Sequence, residues 1–362
     1  GHEVAFGQGV YEVEAPAKAE KPAKFEVIRS NHDFGVRGEN FDVMFSDLNG
    51  GLVSYRYGGV EMIKMIPKPN FWRAPTDNDY GNGMPKRLQV WKESSKNFNV
   101  TDATVTMDGN NAVVNVNYLL PAGNLYIVNY TIYPSGAVNV AARFTSTDMD
   151  AAQTEVSEST RTATFTPGRD AARKEASKLN VPRIGVRFRL PASMNQVEYF
   201  GRGPAENYLD RNAGSMVGLY KSTAEELYFP YVRPQENGHH TDTRWVSLST
   251  GKKGLLIQAD NTIGFNALRN SIEDFDDEEA TGLSRQWSNF TPEQVANHDE
   301  AAAKNVLRRQ HHINDITPRD FVEVCVDLKQ QGVAGYDSWG SRPEPAYTLP
   351  ANREYNWGFT LI

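Results

Sequence analysis

Apolar and polar residues alternate along most of this chain. From residue 25 onward, apolar side chains recur at every second position in short runs bounded by Gly, Pro, Asn or Asp, as at residues 41–45, 112–118, 126–133 and 184–190. A period of two is typical of strands, because successive side chains of a strand point to opposite faces of its sheet. The number and near-regular spacing of these runs predict one all-β domain over residues 25–362, built as a large antiparallel sandwich.

Two stretches depart from the alternation, near residues 168–180 and 283–309. The first is charged and rich in Ala, and in the second an N-cap signature at residues 291–294 precedes a polar, Ala-rich run. Neither stretch has an apolar stripe wide enough for a core helix. We therefore predict two helical or irregular insertions, the second of them a surface excursion or a disordered loop.

The first 24 residues have a different composition. Residues 3–8 look like the last strand of an earlier domain, and residues 15–24 contain Pro, Ala and Lys with almost nothing to bury. That composition is typical of an interdomain linker. We expect residues 1–24 to be the end of a preceding domain followed by a linker, and the chain to be a fragment of a longer protein.

Charge and composition exclude several classes of function. The formal net charge is −7 over 362 residues and is spread along the chain, which argues against a nucleic-acid partner. The sequence has no apolar run of about eighteen residues, so we expect a soluble protein without a membrane partner, and the compartment, cytoplasmic or periplasmic, stays open. The single cysteine, Cys325, falls in an alternating run and is predicted to be a buried strand residue.

Residues 71–83 are the first of five segments in which turn formers, charges and aromatic residues cluster. Three consecutive acid or amide side chains lie here, and such groups can bind a cation, cap backbone amides or hydrogen-bond sugar hydroxyls. We predict an ordered, self-hydrogen-bonded Asx turn. The glycines from Gly81 onward predict greater mobility in the chain that follows. The residues of the predicted turn are Arg73, Asp77, Asn78 and Asp79.

The second segment, residues 200–211, contains two carboxylates that could serve as an acid/base pair, Glu206 and Asp210. Arg202 and Arg211 are close to them in sequence. A general acid needs surroundings that raise its pKa, whereas a neighbouring guanidinium lowers it. We therefore interpret this segment as ion-paired scaffolding, in which the arginines neutralise both carboxylates.

Histidines mark the third and fourth segments. His239 and His240 precede an aspartate at position 242, and His311 and His312 precede another at position 315, an arrangement that could suggest a metal site. Neighbouring side chains on a strand point to opposite faces, so an adjacent pair does not converge on one ion. We predict no metal site in this chain and assign no catalytic histidine.

The fifth segment, residues 332–343, places Trp339 among Gly, Ser and Pro. These turn formers leave no strand in which to bury the indole, so we predict that Trp339 stands on a loop with a ring face exposed. An exposed aromatic face can pack against the C–H face of a pyranose. From the residues alone, a sugar contact and a simple loop anchor are equally compatible with this segment.

The order of these motifs resembles a known family. Residues 73–79, 201–211, 234–238 and 337–340 resemble the C-terminal small-chain domain, the fifth domain, of the β-galactosidases of glycoside hydrolase family 2. The resemblance covers residues 25–362, and residues 3–8 resemble the closing strand of the Ig-like domain that precedes it in these enzymes. It implies a super-sandwich of the galactose mutarotase-like type.

The resemblance also implies a division of labour in a retaining β-galactosidase (EC 3.2.1.23 type). An upstream TIM barrel, absent here, supplies both catalytic glutamates and the ligands of Mg²⁺. This chain is then non-catalytic, holds no cofactor or metal, and lends one wall of the galactose site, while Mg²⁺ and possibly Na⁺ belong to the full-length homo-oligomer. The implied substrate contacts are Trp339, Asp337 and Ser338, and the implied loop at the mouth of the active site contains Arg73, Asp77, Asn78, Asp79 and Gly81.

Two other functions are compatible with parts of the pattern. A free-standing carbohydrate-binding module would also use an exposed tryptophan on a sandwich, and measurable affinity of the isolated chain for galactosides would favour it. An aldose 1-epimerase is suggested by the mutarotase-like fold, but that chemistry needs a convergent His and Glu pair, which the sequence does not allow us to assign.

Overall fold

The computed structural model describes residues 6–9, 11, 25–48, 50–146, 176, 178–276, 312–337 and 339–362. Most of the two predicted insertions, most of the predicted linker, and the side chains of His311 and Ser338 lie outside the described residues. Within the described part, no helix is long and apolar enough to cross a membrane.

A five-stranded antiparallel sheet begins the domain, with its strands in chain order. Its members are β1 (Glu26–Arg29), β2 (Asp33–Arg37), β3 (Phe41–Ser46), β4 (Gly51–Tyr57) and β5 (Val60–Glu61). Phe45 of β3 meets Tyr130 of the second sheet edge to face, at 5.2 Å between ring centroids. The hydroxyl of Tyr55 donates to the carbonyl of Gly136 at 2.9 Å. Aromatic contacts therefore hold the two sheets together.

The second sheet contains twelve of the described strands and is antiparallel throughout its pairings. Its main path runs β13-β12-β14-β15-β17-β10-β9-β8-β7, and a branch from β15 continues through β16 and β11 to β6. The strands are β6 (Met65–Asn70), β7 (Asn99–Asp108), β8 (Asn111–Leu119), β9 (Leu125–Ile132), β10 (Val138–Phe144), β11 (Arg183–Pro191), β12 (Gln196–Gly203), β13 (Met216–Thr223), β14 (His240–Ser249), β15 (Gly254–Leu268), β16 (Phe321–Gln330) and β17 (Tyr355–Leu361).

The alternation seen in the sequence is the alternation of burial in these strands. Val116 of β8, Val128 of β9 and Ala142 of β10 are opposite one another across the sheet and all are buried. Burial of a valine side chain contributes roughly 1.5–3 kcal/mol to folding, so every second residue of these strands stabilises the core. The prediction of an all-β, antiparallel fold is confirmed, as is the burial of Cys325 in β16.

Short helices fill the connection between β6 and β7, where we had predicted a turn and a mobile segment. They are α1 (Asp77–Gly81), α2 (Met84–Arg87) and α3 (Gln89–Ser94), and a fourth, α4 (Ile272–Phe275), follows β15. Trp91 of α3 is buried against Phe144 and Phe71, with ring centroids 5.8 and 6.4 Å apart. This aromatic packing fixes the helical connection on the sheet, and with it the motif at residues 73–81.

Candidate functional site

Four of the five segments that stood out in the sequence meet around one cleft. It has a volume of about 490 Å³, within the range of small-molecule sites. Four segments of the chain form its walls, and both side chains and backbone line it. The lining residues are Thr76, Asp77 and Asn78 from α1, Tyr208 and Arg211, Tyr231, Gln235 and Glu236, and finally Val333, Ala334, Gly335 and Asp337.

Arg73 and Asp79 form a buried ion pair behind this cleft. The distance from Arg73 Nη1 to Asp79 Oδ2 is 2.6 Å, and both side chains are almost fully enclosed. Asp79 Oδ2 also accepts from the Thr76 amide at 2.9 Å, while Thr76 Oγ1 accepts from the Asp79 amide at 3.3 Å. These reciprocal bonds are a capping box that starts α1. The predicted Asx turn was therefore wrong in form, because the acidic side chain caps a helix instead.

Asp77 and Asn78 face outward from the same helix and reach the other motifs. The Asp77 side chain is 64% exposed and lies 3.5 Å from Arg233 Nη1, and its backbone amide donates to Gln235 Oε1 at 3.3 Å. Asn78 Oδ1 accepts from the amide of Gly340 at 3.1 Å. The first segment thus contacts both the third and the fifth segments. The greater mobility expected beyond Gly81 stays a prediction.

Glu206 forms the ion pair that was predicted for it, whereas Asp210 does not. Glu206 accepts from Arg211 Nη2 at 3.1 Å, from the Gly238 amide at 2.7 Å and from the hydroxyl of Tyr231. Ion pairing by Arg211 is therefore confirmed. The predicted pairing of Asp210 with an arginine was wrong, because its carboxylate accepts hydrogen bonds from two backbone amides of the fifth segment, those of Val333 and Ala334. Arg202 instead pairs with Asp242, at 2.5 Å.

Trp339 lies on the loop after β16, and its side chain is exposed to solvent. It is 90% exposed, as its turn-forming neighbours predicted, and its amide donates to Asp337 Oδ1 at 2.9 Å. Gly81 packs against this loop so closely that a Cβ there would be 2.9 Å from the Cα of Gly340. The loop is thus held against α1, whereas almost the whole Trp339 side chain is exposed to solvent. Its role as a sugar contact, with Asp337 and Ser338, stays a prediction.

A buried charge cluster lies below the cleft, and sequence reasoning missed it. Arg183, at the start of β11, donates through Nη2 to Glu236 at 3.1 Å and to Asn266 at 2.7 Å, and its Nε lies 3.2 Å from Asp327 Oδ2. One signal was available. Asp327 follows the apolar run of β16 at a position where every neighbour from Val322 to Val326 is buried. A carboxylate in such a run requires a buried partner.

Burial controls protonation in this cluster. Desolvation raises the pKa of Asp327 to about 7, with Arg183 opposing the rise and Glu236 adding to it. Desolvation also raises the pKa of Glu236, again against the attraction of Arg183. One guanidinium therefore faces two carboxyl groups that are both harder to ionise than usual, and Glu236 of this pair lines the cleft.

The histidines of the third motif are structural. His239 is buried, its Nδ1 lies 2.9 Å from Asn266 Oδ1 and its ring stacks on Tyr208. His240 stacks on Phe265, and its two nitrogens meet backbone carbonyls at 3.1 and 3.2 Å. Burial lowers the pKa of both rings, that of His240 to about 4, so both are neutral near pH 7. In the described ranges, no group of three or more His, Cys, Asp or Glu could hold a metal ion.

The structure also brings a histidine and a glutamate to a shared neighbour, which the sequence did not reveal. Asn266 Oδ1 accepts from His239 Nδ1 at 2.9 Å, and Asn266 Nδ2 donates to Glu236 Oε1 at 3.2 Å. His239 is buried and does not line the cleft, so of the two residues only Glu236 faces it. The pair lacks the shared access to a ligand that acid/base chemistry on an anomeric hydroxyl requires.

Known proteins are similar to this chain over its whole length. A family model described as "Beta galactosidase small chain" matches residues 37–361. A β-galactosidase from Priestia megaterium is 31% identical over 100% of this chain and 30% of its own length. A β-galactosidase small subunit from Latilactobacillus sakei is 28% identical over 93% of this chain and 98% of its own length. Among solved structures, a galactose 1-epimerase from Lactobacillus acidophilus is 9% identical, with coverage of 94% and 98% and a TM-score of 0.41.

The chain thus spans about 30% of the length of the longer relatives and nearly the full length of the small subunit. The family match begins in β2 and ends at the last residue of β17, so it includes every segment that lines the cleft. This chain belongs to the β-galactosidase small chain family.

Proposed function

We propose that this chain is the non-catalytic C-terminal domain of a retaining β-galactosidase of glycoside hydrolase family 2. In this proposal it supplies one wall of the galactose-binding site, and a TIM barrel elsewhere in the enzyme supplies the reacting carboxylates. The names of its relatives support the activity, and the share of their length that it spans supports the existence of further domains.

The non-catalytic part of the proposal is supported by how Glu206 and Asp210, the two carboxylates that the sequence offered as an acid/base pair, are used. A retaining glycosidase needs two carboxyl groups about 5–5.5 Å apart, both free to reach the substrate. Glu206 is saturated by Arg211, Gly238 and tyrosine hydroxyls, and Asp210 is taken up by backbone amides. Groups bound in this way hold loops together and are not available as a nucleophile or a general acid.

The observation that carries the proposal is the exposed indole of Trp339 on a fixed loop. The side chain is 90% exposed, yet the backbone around it is tied to Asp337 and Asn78. A rigid loop that presents a bare aromatic face is ready to bind without ordering costs. Such a face suits the C–H face of a pyranose, and packing of this kind contributes on the order of one to a few kcal/mol.

Replacement of Trp339 in the complete enzyme tests this role. Trp339→Ala should lower kcat/KM for a nitrophenyl β-galactoside by roughly ten- to a few hundred-fold, because the wall of the sugar site is lost. Tyr57→Ala is the matched control, since Tyr57 is also an exposed aromatic residue but lies on β4, away from the loop that carries Trp339. A value within about twofold of wild type for Trp339→Ala would contradict the proposal.

The cleft itself favours one alternative, a free-standing carbohydrate-binding module, because its volume of about 490 Å³ is within the range of small-molecule sites. Calorimetric titration of the isolated chain with galactose distinguishes the two. One wall of a divided site should bind with a Kd no tighter than about 1 mM, which corresponds to only about 4 kcal/mol. A clearly tighter Kd that is lost in Trp339→Ala would favour the module instead.

A further inference from the structure

We propose that Asp210 is the positioning residue for Trp339. Its carboxylate holds the first turn of the loop that carries the indole, and so sets where the ring stands before any sugar arrives. The inference rests on the sugar-contact role proposed above for Trp339, and it assigns the function of a carboxylate that the sequence had suggested was ion-paired.

The contact is made with two consecutive backbone amides. Asp210 Oδ1 accepts from the amide of Val333 at 3.0 Å, and Oδ2 accepts from the amide of Ala334 at 2.8 Å. Hydrogen bonds to an ionised acceptor are stronger than those between neutral groups. Use of both oxygens also fixes the direction of the chain, because the two amides must lie side by side.

Asp210 is itself held in place. It lies between Tyr208 and Arg211, whose backbones exchange hydrogen bonds at 3.2 and 2.8 Å. The loop approaches it closely at Gly332, where an added Cβ would lie 2.4 Å from Asp210 Oδ2. Only a glycine allows this approach, so the sequence at residue 332 is matched to the carboxylate at residue 210.

The turn that Asp210 holds is one the chain does not adopt readily. Ala334 has φ of 58°, in the left-handed region that a residue with a Cβ disfavours. The following residue, Gly335, also has positive φ, 110°. Without the two bonds from the carboxylate, Ala334 can relax to negative φ, and the path of the chain toward Trp339 changes.

Separate hydrogen bonds hold the other end of the loop, so the position of the indole depends on the anchor at Asp210. The amide of Gly340 donates to Asn78 Oδ1 at 3.1 Å, and the amide of Ser341 donates to Asp337 Oδ1 at 3.2 Å. Trp339 therefore stands between an anchor on α1 and an anchor at Asp210. Release of one end allows the indole to move while the domain keeps its core.

Hydrogen exchange in this chain tests the anchor without any assumption about sugar. In Asp210→Asn, which keeps the size of the side chain but replaces one acceptor with a donor, exchange of the amides of Val333 and Ala334 should accelerate at least about tenfold. Gly332→Ala should act in the same direction, because its methyl group displaces the carboxylate. Asp242→Asn is the matched control, since that carboxylate pairs with Arg202 and touches no residue of the Trp339 loop in the described structure. Unchanged exchange in Asp210→Asn would overturn the inference.

Kinetics of the complete enzyme then test whether the anchor acts through Trp339. Asp210→Asn should lower kcat/KM by roughly three- to thirtyfold in the wild-type background and have almost no further effect in Trp339→Ala, a non-additivity that a general structural role would not produce. Full additivity of the two substitutions overturns the positioning role. If Trp339→Ala alone leaves kcat/KM unchanged while exchange in Asp210→Asn still accelerates, the proposed sugar contact fails, and the positioning role fails with it for that separate reason.

Discussion

At the scale of single residues, two tryptophans illustrate how differently the same side chain is used. Trp91 is fully buried in an aromatic cluster with Phe71 and Phe144, whereas Trp339 is 90% exposed. The exposure of Trp339 could be predicted from its Gly and Pro neighbours, because turn formers leave no strand to bury it. Its fixed position could not, since the amides and carboxylates that hold the loop come from distant parts of the chain.

The two tryptophans predict opposite effects on stability. Trp91→Ala should lower the free energy of unfolding by about 3–5 kcal/mol, because it leaves a cavity in the core. Trp339→Ala should change it by less than about 1 kcal/mol, since little surface is uncovered. Urea unfolding of both variants of this chain provides the measurement, and a large loss of stability in Trp339→Ala would mean that the indole is a structural anchor.

Asp327 predicts a pH dependence with a definite sign. Its pKa in the folded protein is about 7, above the value of about 3.9 expected in the unfolded chain. The folded state therefore binds more protons between these values, and the stability that this carboxyl contributes is present at low pH and lost as the pH rises through 7. Relative to Asp327→Asn, the wild-type protein should lose on the order of 2 kcal/mol of unfolding free energy between pH 5 and pH 8.

The comparison of the two proteins at each pH isolates this effect. The lowered pKa values of His239 and His240 have the opposite sign, since an unfolded histidine binds a proton that the folded one does not. That contribution is common to both proteins and largely cancels in the difference. A difference in unfolding free energy between the two proteins that stays constant from pH 5 to pH 8 would show that Asp327 does not keep its proton in the folded state.

At the scale of elements, the strands were predictable and the short helices were not. A strand can be recognised in a sequence by a period of two in its apolar residues. The runs at residues 41–45, 112–118, 126–133 and 184–190 all overlap strands of the structure. Helix α1 has only five residues, which is too few for a helical period to be visible. Its start signal was present at Thr76 and Asp79, but the neighbouring Asx residues favoured a turn.

Helix α1 predicts a contrast between two aspartates. Asp79→Ala removes the capping box and leaves the enclosed guanidinium of Arg73 without its carboxylate, so the free energy of unfolding should fall by about 3–5 kcal/mol. Asp77→Ala, on the same helix but with a largely exposed side chain, should cost less than about 1 kcal/mol. Equal effects of the two substitutions, measured by urea unfolding, would contradict the assignment of Asp79 as the residue that holds this segment.

At the scale of the whole molecule, the sequence predicted the class of fold but not the meeting of the motifs. Alternation and turn residues are local, and they sufficed for an antiparallel all-β domain. The cleft depends on the order in which twelve strands pair, with β15 in contact with β14, β16 and β17, and this order has no local signature. The buried group of Arg183, Glu236 and Asp327 was hidden for the same reason, since two strands and a loop bring its members together.

The central claim is that this chain completes an active site whose reacting groups lie in another part of the enzyme. Reconstitution measures this most directly: the chain and the remainder of the β-galactosidase are purified separately and assayed alone and together with a nitrophenyl β-galactoside. The existence of a separate small subunit in Latilactobacillus sakei makes such a division practicable. We predict no turnover by this chain alone, activity on mixing with the remainder, and activity reduced by roughly ten- to a few hundred-fold when the added chain carries Trp339→Ala. Turnover by the isolated chain, or full activity of the remainder without it, would contradict the account.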